Sequence, residues 1–264
     1  MEYDATTTRI FEMPPYYFFA VLGVVFSVSL FILLLLKHER NIPRYTKIFL
    51  LSSVGLLLGA KVFGFLTGLY GALANDEPIT LETFLHTGIV YYGGLFGLLL
   101  SFLLICRVWN KTIDYRVVDL VAVCIPLFLF WGRLGCFSAG CCFGMETQSG
   151  FSVLYTTRIH EETVTAPRVP IQLIEAVANL IVFVVLFRLL RVPKLQGHLI
   201  KIYLCSYAVI RLILELFRGD EVRGVWGEIS FSQVVSVCVL IGCATVVIVN
   251  KIKKGACERE IEEV

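Results

Sequence analysis

Phe130-Trp131-Gly132-Arg133-Leu134-Gly135-Cys136-Phe137-Ser138-Ala139-Gly140-Cys141-Cys142-Phe143-Gly144 closes an apolar segment with an arginine, three cysteines and four glycines. A plain membrane anchor has no use for that mixture. An arginine at the centre of a membrane segment costs about 2.5–3.5 kcal/mol on insertion scales, so it needs a partner or a purpose. Glycines let backbone and ligand approach closely and permit non-helical turns at membrane depth. The stretch reads as the floor of a polar site that opens within a membrane.

The rest of the chain supports the membrane reading. Of its 264 residues, 57% are hydrophobic, against about 45–50% in soluble domains, and the mean hydropathy is +0.80. The runs of about 20 apolar residues that cross a bilayer fall at 16–36, 48–74, 89–106, 117–131, 171–190, 199–217 and 229–250. The fold class expected is therefore an all-α membrane protein of about seven transmembrane helices. Residues 1–250 read as one helical domain with an outer loop around 145–169, and 251–264 as a charged, solvated and frayed tail. Met13-Pro14-Pro15 precedes the first run, with neither a basic region nor a small-residue cleavage site, so that run reads as a retained helix.

Charge orients the bundle. Lys37, Arg40, Arg44 and Lys47 follow the first span, Arg107, Lys111 and Arg116 the third, Arg188, Arg191 and Lys194 the fifth, and Lys251, Lys253, Lys254 and Arg259 the seventh. The connection at 75–85 has no Lys or Arg at all. Basic loops stay in the cytoplasm, so the N-terminus is expected outside and the C-terminus inside. The net charge of +2 comes with no basic stripe, which argues against a nucleic-acid partner.

With that topology, polar groups far apart in sequence meet at one depth. Arg133 lies at the outer end of span four. Arg211, Glu215 and Arg218 share one face of the outer half of span six, at i, i+4 and i+7. Gln172 and Glu175 open span five. His86, Tyr91 and Tyr92 lead into Gly93 and Gly94, and Tyr16 and Tyr17 open span one. This is the level of a phospholipid phosphate and glycerol. Two arginine forks on different helices suit a phosphate and stabilise it as a leaving anion. The competing reading is an internal ion-pair network, Arg211 with Glu215 or Glu175, that only fixes helix packing. Lys61 in mid-span serves a lipid phosphate or a carboxylate equally well. The small-residue pairs Gly55/Gly59, Gly64/Gly68 and Gly93/Gly97 read as helix-packing motifs, the tyrosines also as interfacial aromatics, and His160 as a solvated loop residue.

The nine cysteines do not form a disulfide framework. Cys106, Cys124, Cys205, Cys238 and Cys243 sit in apolar runs as small hydrophobes. The cluster Cys136, Cys141, Cys142 allows three readings: small residues beneath a glycine-lined pocket, reactive thiols or a disulfide beside Arg133, or a metal site. The spacing is unusual for zinc and one ligand short of four, so no metal and no cofactor are expected.

Four segments in order resemble the prolipoprotein diacylglyceryl transferase family, over about residues 16–250. They are Gly132-Arg133-Leu134-Gly135 with Phe137, Gly140 and Gly144; Tyr92-Gly93-Gly94-Leu95-Phe96-Gly97; Pro170-x-Gln172-Leu173-x-Glu175; and Tyr207-x-x-x-Arg211-x-x-x-Glu215-x-Phe217-Arg218. The resemblance implies seven spans and an enzyme of a bacterial plasma membrane. That enzyme would move diacylglycerol from phosphatidylglycerol to a prolipoprotein cysteine, with glycerol phosphate leaving. Arg133 and Arg211 would hold the phosphate, Glu215 would hold Arg211, and Tyr92 and Cys136 would stand at catalytic positions. Tyr16, Lys61, Gly93, Gly94, Gly135, Gly140, Gly144, Gln172, Glu175 and Arg218 would line the substrate, with Cys141 and Cys142 as possible reactive thiols. The partners would be the bilayer, phosphatidylglycerol or a related phospholipid, and a prolipoprotein or other acceptor.

The chain also departs from the family pattern. Tyr92 replaces the histidine before Gly-Gly, Cys136 and Ala139 replace asparagines, Cys141 replaces a glutamate, and Val169 replaces a histidine before Pro170. Two other function classes therefore stand beside the transferase: a non-catalytic outer-leaflet lipid-binding protein, and a thiol redox or metal protein of the membrane.

Overall fold

The computed structural model describes residues 2–3, 13–74, 90–159, 162–219, 225–226 and 229–262. His86, His160 and the connection at 75–85 lie outside the described residues. The described helices are α1 (Pro15–Lys37), α2 (Ile42–Ala74), α3 (Tyr91–Asn110), α4 (Tyr115–Ser138), α5 (Ile171–Leu189), α6 (Leu199–Glu215) and α7 (Phe231–Glu262). A small sheet joins β1 (Glu2–Tyr3) parallel to β2 (Val153–Ile159), which pairs antiparallel with β3 (Glu162–Arg168). β4 (Val225–Trp226) and β5 (Ile229–Ser230) form a second, two-stranded ribbon.

Six of the helices are long and apolar enough to cross a membrane. The exception is α6, whose 17 residues rise about 25 Å against about 30 Å of hydrocarbon. Its polar side chains Arg211 and Glu215 are buried against other helices and do not face lipid. Apolar side chains such as Leu57, Leu58, Ile181 and Ile241 are exposed, as expected where lipid is the solvent.

The fourth helix is the axis of the molecule. Of its membrane segment 67% is buried, against 6% of that of α7, so α4 lies at the centre and α7 at the rim. α4 packs on α1 and α5, α2 on α3, and α6 on α7. The α2–α3 contact is built on glycines. A Cβ on Gly97 would lie 2.9 Å from the Gly55 carbonyl carbon and 3.1 Å from the Gly59 Cα. The first is too short for any side chain and the second is tight, so glycine lets the two backbones pack this closely.

One end of the bundle gathers the basic connections. Arg40 pairs with Asp114 at 3.1 Å, Arg116 donates to the Leu190 carbonyl at 2.8 Å, and Arg44 donates to the Trp109 carbonyl. These guanidiniums satisfy carbonyls near the C-terminal ends of α3 and α5, where helices carry partial negative charge. Asp119, inside α4, accepts from the Gly197 and Leu199 amides at 2.6 and 3.0 Å. It thereby caps the start of α6 across 80 residues of chain.

The glycine-rich stretch continues the fourth span: Gly132 and Gly135 are helical, and the helix runs on to Ser138. Two segments add to or differ from the sequence reading. The loop around 145–169 contains a β-hairpin, because its Thr, Val, Tyr and Ile suit paired strands. The tail does not fray at residue 251: α7 continues through Glu262, since Lys, Glu, Arg and Ala there are good helix formers.

Candidate functional site

The opposite end of the bundle holds a buried ionic network. α4 presents Arg133 from its last turns, α5 presents Glu175 from its first turns, and α6 presents Arg211 and Glu215 from its last. Glu175 is 1% exposed and lies between the two arginines. Its Oε1 is 2.9 Å from Arg133 and its Oε2 is 3.8 Å from Arg211. Arg211 also pairs with Glu215 at 2.7 Å and donates to Ser232 on α7 at 3.2 Å. Tyr207 donates to Glu175 at 3.4 Å. Asn179, four residues beyond Glu175, donates to its backbone carbonyl at 2.7 Å.

The network is closed by its own charges, two guanidiniums against two carboxylates, but not fully saturated. The Arg133 Nε and the Arg211 Nη1 are buried and have no hydrogen-bond partner among the described residues. An orphaned buried donor costs about 1–3 kcal/mol. A guanidinium left in that state by a folded protein is suited to an anionic ligand.

An aromatic wall flanks the network. Tyr207 packs against Tyr91 and Tyr92, with centroids 4.7 and 5.3 Å apart. The Tyr91 and Tyr203 hydroxyls are hydrogen-bonded, and Tyr92 meets Ser236 Oγ at 2.6 Å. Beside Tyr92, an apolar groove of about 420 Å³ runs between α2, α3 and α7, lined by Phe63, Phe96, Val234, Val235, Cys238 and Val239.

The segment after α4 makes a tight reversal. Gly140 and Cys142 are both left-handed, with φ of 64° and 61°, a conformation open to glycine and uncommon for cysteine. The reversal carries Cys141 and Cys142 back over Cys136, so that the three sulfurs lie within 4.8 Å of one another. Thiol hydrogen bonds from Cys136 and Cys141 hold the Cys142 thiol below the ordinary cysteine range, and Arg133 acts in the same direction. The same contacts push Cys141 up. Gln172 ties this turn to α5 by donating to the Cys141 carbonyl at 2.6 Å, while Tyr155 of the hairpin donates to Gln172 at 3.2 Å.

Most of the residues singled out in the sequence converge here. Arg133, Arg211, Glu215, Glu175, Gln172 and Tyr92 do so directly. Gly135 lies against Tyr16, whose ring a Cβ would meet at 3.3 Å. Gly144 packs under Val169 and Phe217 and bridges to Arg218, joining the hairpin base to the end of α6. Gly93 and Gly94 face α2, where Gly59, Phe63 and Ala60 fill the space of their missing side chains; helix packing accounts for both. Lys61 is half-buried on α2, next to Ala60, whose carbonyl accepts the Val90 amide at the start of α3. The competing ion-pair reading is also visible, since both arginines contact carboxylates.

Sequence reasoning missed Asn179, Ser232, Ser236, Arg168 and Asp119. Arg168 pairs with Glu146 at 2.7 Å and sits 4.6 Å over the Phe143 ring, bracing the hairpin on the cysteine turn. Asn179 shares a helix face with Glu175 and was open to discovery by spacing. The serines gave no signal, because only the packing of α7 on α3 and α6 brings them into reach.

Comparison with known proteins gives one result throughout. The sequence model of the family described as prolipoprotein diacylglyceryl transferase matches residues 5–249. The chain is 27% identical over 238 residues to phosphatidylglycerol–prolipoprotein diacylglyceryl transferase 2 of Clostridium perfringens, covering 90% of this chain and 91% of that one. It is 28% identical over 226 residues to the corresponding transferase of Clostridium tetani, covering 83% and 86%. It is 30% identical over 213 residues to that of Legionella pneumophila strain Corby, covering 78% and 80%. With the bundle, the buried arginine pair and a match that spans the helices holding them, this chain belongs to the prolipoprotein diacylglyceryl transferase family.

Proposed function

We propose that this protein is a bacterial plasma-membrane enzyme that transfers diacylglycerol from phosphatidylglycerol to the cysteine thiol of a prolipoprotein. The observation that carries the reading is the pair Arg133 and Arg211, on different helices, both ion-paired with Glu175, with Arg133 Nε and Arg211 Nη1 buried and making no hydrogen bond among the described residues. Family membership and the names of its relatives support the same reading over a lipid-binding or redox role.

The chemistry follows from the geometry. The lipid phosphate takes the donors of Arg133 and Arg211 that make no hydrogen bond, while Glu175, Glu215 and Ser232 hold the guanidiniums in place. The acyl chains follow the apolar groove beside Tyr92. A thiolate then attacks the diacylglycerol carbon that bears the phosphate oxygen. The C–S bond forms, the C–O bond breaks, and glycerol phosphate leaves as an anion on the two arginines. Preorganised donors of this kind stabilise developing charge without reorganising. Tyr92 stands beside the phosphate site, its hydroxyl fixed by Ser236. A phenol of ordinary pKa, about 10, is a weak base for a thiol.

The test is transfer of labelled diacylglycerol from phosphatidylglycerol to a lipobox peptide by the purified protein, with Arg133→Ala beside it. Labelled peptide that is lost in the variant supports the reading. Phospholipid that co-purifies without any transfer, while a known family enzyme works in the same detergent, overturns it.

A further inference from the structure

We propose that Cys136, Cys141 and Cys142 form a zinc site whose fourth position takes the acceptor's cysteine thiol. The inference rests on the transferase reading and extends it to the half of the reaction that Tyr92 serves poorly.

Three features of the cluster support it. First, the geometry fits the ion. Zinc–thiolate bonds of about 2.3 Å put the sulfurs of a tetrahedral site about 3.8 Å apart. Here all three lie within 4.8 Å, so small rotations about Cα–Cβ close the site. Second, three protein ligands and an accessible fourth position are the pattern of catalytic zinc, whereas structural zinc is closed by four. Cys141 is exposed and Cys136 and Cys142 are half-buried, which leaves one side of the triangle open. Side chains that merely filled space beneath a pocket would be buried, whereas Cys141 is an exposed residue. Third, the cluster lies next to positive charge. Zinc with three thiolates carries one net negative charge and a bound acceptor thiolate adds another, and the guanidiniums of Arg133 and Arg218 act electrostatically on Cys142.

Position connects the site to the reaction. Cys136 follows Arg133 by three residues in α4, which places the two side chains on one face about 5–6 Å apart. The Cys141 carbonyl is held by Gln172, one turn before Glu175 on α5. The same two helices therefore carry the thiol cluster and the phosphate donors. A thiol that coordinates zinc is deprotonated; its proton passes to solvent. The bound thiolate then attacks the diacylglycerol carbon, the C–O bond to phosphate breaks, and the thioether product, a weaker ligand, leaves the metal.

The experiment uses the full-length protein in detergent under reducing conditions, stripped of metal and titrated with cobalt(II), then zinc. One cobalt per chain is expected, with thiolate-to-cobalt charge transfer and tetrahedral d–d bands that zinc bleaches. Cys141→Ser should weaken zinc binding by more than the about 10–100-fold that loss of a supporting group costs. Cys141→His, which supplies another zinc ligand, should keep it. Transfer to a lipobox peptide should fall at least about tenfold at neutral pH on chelation and recover with zinc. It should also recover without zinc at about pH 9, where a free thiol ionises unaided. No cobalt–thiolate band, with transfer intact, overturns the metal site and leaves the transferase reading standing. A cobalt band with transfer indifferent to chelation overturns the acceptor role. A cobalt band with no transfer in any metal state overturns the transferase reading and the acceptor role with it.

Discussion

At the residue scale, Glu175 decides the state of the site. It is a single buried carboxylate facing two arginines. Replacing it leaves the buried Arg133 guanidinium without its carboxylate and Arg211 with Glu215 alone. Glu175→Gln is expected to destabilise the protein by about 3–5 kcal/mol, the cost of breaking a buried ion pair from one side. Thermal unfolding in detergent reads this directly. Arg133 is different, because its fork carries two tasks: Nη2 binds Glu175 and Nε has no partner among the described residues. Arg133→Lys keeps the charge but cannot do both, since an ammonium is a point donor. Transfer is expected to fall by about 10²–10³, the usual cost of one lost transition-state donor. The fall should appear in kcat more than in KM. A variant within a few-fold of wild type would assign Arg133 to packing alone.

At the element scale, glycines that look alike in the sequence serve different ends. Gly97 is wedged against Gly55 and Gly59, whereas a Cβ on Gly132 would meet nothing within 4 Å. Gly97→Val should therefore separate α2 from α3 and abolish folded, monodisperse protein in size-exclusion chromatography. Gly132→Ala should fold at least as well as wild type, because alanine gains up to about 1 kcal/mol of helix propensity. The start of α6 provides a second case. Asp119→Asn keeps the shape but replaces a charged acceptor of the Gly197 and Leu199 amides with a neutral one. A loss of about 1–2 kcal/mol is expected, seen as a lower Tm with unchanged affinity for phospholipid, because the site lies at the far end of the bundle.

At the scale of the whole molecule, the charge asymmetry of the connections sets orientation. The basic end, with Arg40, Arg44 and Arg116 on carbonyls and Asp114, is expected in the cytoplasm. The end with Arg133, the cysteine turn and the hairpin is expected outside, where an acceptor emerging across the membrane would meet it. With Cys136, Cys141 and Cys142 changed to serine, a membrane-impermeant thiol reagent applied to intact cells should label Gly150→Cys in the turn before β2, and Lys194→Cys only after permeabilisation. The reverse pattern would invert the topology and place the site on the wrong face for the proposed reaction.

The sequence by itself determined the membrane class, the positions of the spans and the depth at which Arg133, Glu175, Arg211 and Glu215 sit. Hydropathy and charge act locally, and a helix turns a linear spacing into a known height and face. It also carried the family, because four ordered segments leave little freedom for coincidence. Only the tertiary structure decided who pairs with whom. That Glu175, and not Glu215 alone, joins the two arginines depends on how α5 packs against α4 and α6. That Ser232 and Ser236 reach Arg211 and Tyr92 depends on the placement of α7. That three sulfurs gather within 4.8 Å depends on two left-handed residues in one turn. Such distances arise from helix packing and backbone reversal between segments far apart in the chain, and no periodicity along the sequence encodes them.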